Sequence, residues 1–264
     1  MSVNHENCRT LLITSCKGGI GKSTVAANLG ATLAAMGKRV LLIDCDFGSR
    51  CLDLILGCEN EIVYDMGDVI ADRGQAEKAI FHLPGTDNLL FCAAPAAMTE
   101  VGKEELADTI GALIEAAKPD FAILDTAGGL SIPLLLPPTL IDTAIIVASH
   151  QPVSMRAAEK TATLLSANGI AELKLVVNSF DFASAKDGRR AGILEMIDRS
   201  HVPLLGIVPH DEALLHAQER GVKITELTNA LSAPAFSNIA KRLTGEQVPI
   251  FRGLRYYHRR NAYL

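Results

Sequence analysis

Leu11-Leu12-Ile13-Thr14-Ser15-Cys16-Lys17-Gly18-Gly19-Ile20-Gly21-Lys22-Ser23-Thr24 is the stretch that decides the fold. An apolar run breaks into a glycine-rich turn. Val25, Leu29, Leu33 and Met36 then mark one helical face until Gly37 supplies the stop. The phosphate-loop pattern G-x-x-x-x-G-K-S/T is met at its end by Gly21-Lys22-Ser23, with Cys16 in place of the first glycine. Gly18, Gly19 and Gly21, with Ile20 between them, let backbone N–H groups turn inward around phosphate oxygens. The helix that follows adds the partial positive charge of its N-terminus. Lys22 is then placed to reach the β- and γ-phosphates, Ser23 to ligate Mg²⁺, and Thr24 to donate to the α-phosphate.

Working outward, short apolar runs at residues 11–14, 40–43, 89–92, 121–124, 144–147, 173–177 and 205–208 read as strands. They are nearly continuous rather than alternating in hydrophobicity, which suits strands buried on both faces of a parallel sheet. Helical patterns at 104–117, 155–167, 190–199 and 212–220 lie between them. This order predicts an α/β fold, a doubly wound and mostly parallel sheet with helices on both faces and right-handed crossovers. Ligands of such sheets bind at the carboxyl ends of the strands.

Carboxylates fall at those ends. Residues 40–43 lead into Asp44-Cys45-Asp46, an i, i+2 pair that a strand end turns to the same side. Beside a triphosphate, one carboxylate can hold the water shell of magnesium and the other can orient the attacking water. Residues 121–124 lead into Asp125-Thr126-Ala127-Gly128-Gly129, which reads as a Walker B aspartate holding Mg²⁺ through water or through Ser23.

The second lysine carries a resemblance. Lys17-Gly18-Gly19-x-Gly21-Lys22-Ser23 resembles the deviant Walker A motif of the ParA/MinD family of P-loop ATPases, and the likeness extends over about residues 11–243. It implies a slow, Mg²⁺-dependent ATPase whose cofactors are ATP and Mg²⁺. It also implies an ATP-dependent homodimer in which Lys17 reaches the partner's nucleotide, like an arginine finger given in trans. The same resemblance assigns Asp46 to the attacking water and Asp44 to the surroundings of the metal. It makes Asp125 to Gly129 a γ-phosphate-sensing switch, with Ala127 where the family usually has proline. Asn178 is implied against the adenine edge, Pro209 on the ring and Asp211 near it.

Residues 44–57 and 59–65 are similar to the segment after the second strand in the MinD branch, which places the bacterial division septum. Phe47-Gly48 stands where DNA-partition members carry Pro-Gln, and the absence of cysteine after Cys92 disfavours the nitrogenase-iron-protein and CooC-like branches. Residues 126–129 and 151–156 match the MinD branch only loosely, which leaves partners of the MinC and MinE type open. DNA partition, and the placement of cargo or flagella, are the alternative functions.

Composition sets the outer bounds. The chain has 264 residues, 48% apolar and 21% charged, with a net charge of −5, which argues against a broad nucleic-acid-binding surface. No export signal is expected, because the start is polar and the 11–14 run is too short. The most apolar window, 128–149, holds Pro133, Pro137, Pro138 and Asp142, so no transmembrane span is expected there. Six cysteines without CxxC spacing read as reduced thiols of a cytoplasmic protein. Residues 1–243 are expected to form the ATPase domain, with 244–249 as a linker. The tail 250–264, IFRGLRYYHRRNAYL, carries four arginines and no acid. On a helical wheel they oppose Ile250, Leu254, Tyr257 and Leu264, a pattern suited to an anionic membrane surface. The resemblance implies the same, with peripheral association at the inner face of the cell membrane.

Overall fold

The computed structural model describes residues 8–47, 49–95, 97, 101–227 and 229–253. Strands β1 (Arg9–Thr14), β2 (Val40–Cys45), β3 (Phe81–His82), β4 (Leu89–Cys92), β5 (Phe121–Thr126), β6 (Thr143–Ala148), β7 (Leu173–Phe180) and β8 (Leu204–Pro209) form one sheet. Its order is β3-β4-β2-β5-β1-β6-β7-β8. Every pairing is parallel except that of the two-residue edge strand β3. The expected doubly wound, mostly parallel architecture is therefore present. The edge strand β3 is too short to leave a periodic signal.

The helices are α1 (Lys22–Ala35), α2 (Leu52–Leu56), α3 (Met66–Ala71), α4 (Ala76–Ala79), α5 (Lys103–Ala117), α6 (Ser131–Leu135), α7 (Pro152–Ala167), α8 (Phe182–Lys186), α9 (Ile193–Ser200), α10 (Glu212–Gln218) and α11 (Ala233–Leu243). Alternate strand residues feed two cores, as the pleat requires. Leu11, Ile13, Leu42, Ile123, Ile145 and Val176 pack with Val25, Leu29 and Leu33 of α1 and Phe236 and Ile239 of α11. Leu12, Leu41, Ile43, Leu124, Ile146 and Val177 pack with Leu106 and Ile110 of α5, Met155 and Leu165 of α7, and Met196 of α9. Helix α1 is buried along almost its whole length. Its polar residues are satisfied inside: Asn28 donates to the Thr24 carbonyl at 2.8 Å and accepts from Ile224 N, and Thr32 donates to the Asn28 carbonyl.

Residues 244–253 fold back onto the domain. Arg242 donates from Nε to the Val248 carbonyl at 2.9 Å and from Nη1 to the Leu205 carbonyl at 2.7 Å. Val248 is buried, Ile250 and Phe251 pack on the core, and Asn238 donates to the Arg252 carbonyl. Residues 250–253 form a turn, with Gly253 at φ 76°, so the amphipathic helix expected from Ile250 does not start there. The apolar side chains of Ile250 and Phe251 serve the core instead. Residues 254–264, with the rest of the basic tail, lie outside the described residues. No described helix is long and apolar enough to cross a membrane.

Candidate functional site

The carboxyl ends of β1, β2, β5, β7 and β8 surround one cavity of about 790 Å³. The P-loop from Gly18 to Thr24, Asp46, Cys51, Gly128, Asn178 and Pro209 are among its lining. Sequence-distant motifs thus meet at the edge that the fold class assigned to ligands.

The P-loop is built for an anion. Gly19 and Gly21 have φ of 70° and 87°, the left-handed region that turns successive N–H groups toward one point. Helix α1 begins at Gly21 with no side-chain cap and no acidic residue in its first turn. Its first N–H groups and partial positive charge are therefore left to the cavity. Lys22 is buried at the root of the loop. The Cys16 N–H is held by Thr161 Oγ1 at 3.1 Å.

The switch segment leans on the same loop. A Cβ on Gly128 would lie 2.9 Å from Gly18 Cα, so only glycine allows this approach. Gly129 N donates to the Ser15 carbonyl at 3.0 Å. The end of the expected switch segment is thus tied to the start of the P-loop.

Asp44 and Asp125 lie opposite one another on adjacent strands, and both are fully buried. Burial, countered in part by hydrogen bonds from Asp46 and Leu52, lifts Asp44 to about 7. Burial also lifts Asp125 to about 8, with Ser23 pulling it back and Asp44 pushing it further up. The two differ in partners. Asp44 accepts from Asp46 N at 2.9 Å and Leu52 N at 3.2 Å, and so ties down both ends of the loop that presents Asp46. Arg50, at φ 45°, braces that loop through Asp53 at 2.6 Å. Neither oxygen of Asp125 has a hydrogen-bond partner of good geometry, although the Ser23 hydroxyl is close enough to affect its ionisation. A buried, unpartnered carboxylate beside a P-loop serine is a site that a magnesium ion fits.

The remaining expected residues are placed as follows. Lys17 Nζ rests on Gln151 Oε1 at 3.2 Å, at the start of α7. Thr24 Oγ1 donates to Gln218 Oε1 of α10 at 3.3 Å. Asn178 donates to the Ile20 carbonyl at 2.8 Å. Pro209 lines the cavity. Asp211 borders it, but its carboxylate caps α10 through Ala213 and Leu214 N and accepts from both N and Oγ of Ser232. Sequence reasoning missed Gln151, Gln218 and the Ser179–His210 hydrogen bond of 2.9 Å at the cavity edge. Gln151 and Gln218 bear no local pattern. The Ser179 contact depends on an irregular pairing of β7 with β8 and a φ of 52°.

Comparison with known proteins places the chain in a family. The model of the CobQ/CobB/MinD/ParA nucleotide binding domain matches residues 11–224. The septum site-determining protein MinD of a Synechocystis species is 36% identical over 245 residues, 91% of either chain. Among solved structures, that of the MinC:MinD cell division protein complex of Aquifex aeolicus superposes with a TM-score of 0.84 at 31% identity, covering 92% of this chain and 99% of that one. Pyrococcus horikoshii MinD, complexed with Mg-ADP, gives a TM-score of 0.75 at 26% identity, covering 89% and 96%. With a phosphate-cradling loop, a buried carboxylate pair and these relatives in common, the chain belongs to the ParA/MinD family of Mg²⁺-dependent P-loop ATPases.

Proposed function

We propose that this protein is a MinD-type spatial switch in placing the division site, dimeric and membrane-bound with ATP, monomeric and released after slow hydrolysis. The observation that carries this reading is the pairing of a P-loop, with Lys17 at its mouth, with the unpartnered Asp125 carboxylate facing Ser23. The P-loop N–H groups and Lys22 hold the phosphates, and Mg²⁺, when bound, would supply neutralisation of the charge developing on them. Ser23 and Asp125 would hold that ion, with Asp44 beside them. Asp46, fixed through its own N–H by Asp44, orients the water that attacks the γ-phosphate. Lys17 leaves Gln151 and reaches the partner's nucleotide, so that hydrolysis follows dimerisation. Asn178, Pro209 and Asp211 form the nucleoside end of the site. A partner of the MinC type fits the likeness to the Aquifex complex.

Two basic tails in one dimer would bind anionic lipid by avidity where one binds marginally. Co-sedimentation with anionic vesicles tests this. The informative truncation ends at Gly253, because a chain ending at Gly245 would also strip Val248 and Phe251 from the core. Pelleting with ATP, absent with ADP and absent in the truncated chain, is the expected result. Equal pelleting with both nucleotides, or none, would remove the membrane switch. Salt-sensitive, ATP-dependent retention on DNA would favour the partition alternative.

A further inference from the structure

We propose that Asn178 is a positioning residue for the P-loop, setting the grip on phosphate separately from any contact with the base. The proposal rests on reading the cavity as a nucleotide site.

A P-loop can turn its N–H groups inward only if the intervening carbonyls turn outward, and a buried carbonyl needs a donor. For Ile20 that donor is Asn178, whose Nδ2 lies 2.8 Å from the Ile20 carbonyl oxygen. The amide must face this way, because its own oxygen would meet the carbonyl oxygen in repulsion. Asn178 is buried, and so is the Ile20 side chain.

Gly21 and β7 are both shaped to this contact. A Cβ on Gly21 would overlap Asn178 Nδ2, so the amide occupies the space that glycine leaves open. Gly21 is the residue from which α1 starts, one position before Lys22, and α1 has no side-chain cap of its own. On the other side, β7 pairs with β8 at Val177 and again at Phe180, with an irregularity between them and Ser179 at φ 52°. That break in the ladder releases Asn178 toward the P-loop. A side chain 158 residues away in sequence thus acts as the external fastener of the turn that holds phosphate.

The test separates phosphate from base. Binding of inorganic tripolyphosphate and of ATP, each with Mg²⁺, would be measured calorimetrically for the wild type, Asn178→Ala and Asn178→Leu. Thermal melting confirms the fold, and the leucine variant keeps the volume while removing the N–H, so it serves where the alanine variant fails to fold. Both variants should bind tripolyphosphate roughly five- to tenfold more weakly, the effect of one lost hydrogen bond to a buried carbonyl, and ATP at least as much more weakly. Weakened ATP binding with unchanged tripolyphosphate binding would overturn the proposal and leave Asn178 as a base contact alone. A folded wild type that binds tripolyphosphate but not ATP would overturn the nucleotide reading while leaving the P-loop role of Asn178 to be decided by the same comparison of variants.

Discussion

At the scale of single residues, Asp44 and Asp125 place two buried carboxyls side by side at the site. Both carboxyls are held well above their ordinary range, to about 7 and about 8, mainly by burial. At these two groups the folded protein therefore binds more protons than the unfolded chain between about pH 4 and about pH 8, and their contribution to stability falls as pH rises through that window. On the proposed metal role of these carboxyls, bound Mg²⁺ would reverse the penalty, favouring the charged form and displacing the protons. The melting temperature of the nucleotide-free protein should drop by several degrees from about pH 5 to about pH 8. Mg²⁺ with a non-hydrolysable ATP analogue should flatten that slope, and Asp125→Asn should flatten it without either. A pH-independent melting curve in the nucleotide-free wild type would contradict this reading of the carboxylates.

At the scale of elements, two short helices frame the cavity through one backbone contact. Helix α2 follows the loop carrying Asp46, and α10 follows Pro209, His210 and Asp211. Each is followed by a glycine in the left-handed region, Gly57 at φ 70° and Gly221 at φ 65°, and the two touch. A Cβ on Gly57 would sit 2.9 Å from Gly221 Cα, a backbone atom that cannot swing away. Gly57→Ala should cost about 2–4 kcal/mol, from backbone strain and overpacking together. Gly37→Ala, at φ 82° but facing open space, should cost only about 1–2 kcal/mol. Chemical denaturation of the two variants measures the difference, and equal losses would mean that the glycine contact has no steric role.

The elements also mark what could be read without coordinates. All seven runs taken as strands are strands, because fully buried parallel strands leave unbroken apolar stretches. The long helices α1, α5 and α7 were legible through their length and apolar spacing. Helices α2, α3, α4, α6 and α8 have four to six residues and give periodicity nothing to act on. Helix α11 was readable in principle: Ala235, Phe236, Ile239, Ala240 and Leu243 form one buried face. Its proline and small polar residues masked it. In the site, the motif residues were legible because phosphate chemistry fixes their order after a strand. The partners of Lys17, Thr24 and Asn178 were not, because they lie 134, 194 and 158 residues away and only the fold brings them near.

At the scale of the whole molecule, the proposed function makes this chain one half of an ATP-bridged dimer. The nucleotide would be gripped by the chain's own P-loop and completed by a lysine from another copy. Within one chain that lysine rests on Gln151, the residue just before α7. On the proposed function, dimerisation would exchange this weak contact for a charge-assisted one with phosphate. The most direct test is the solution mass, by light scattering, of Asp46→Ala and of Asp46→Ala combined with Lys17→Ala, each saturated with Mg²⁺ and ATP. On the proposed role of Asp46, its loss would slow hydrolysis and preserve the bound state. The account predicts a shift from 28.1 kDa to about twice that mass for the first protein, and a nucleotide-bound monomer for the second. A monomer in both, or a dimer in both, would contradict it.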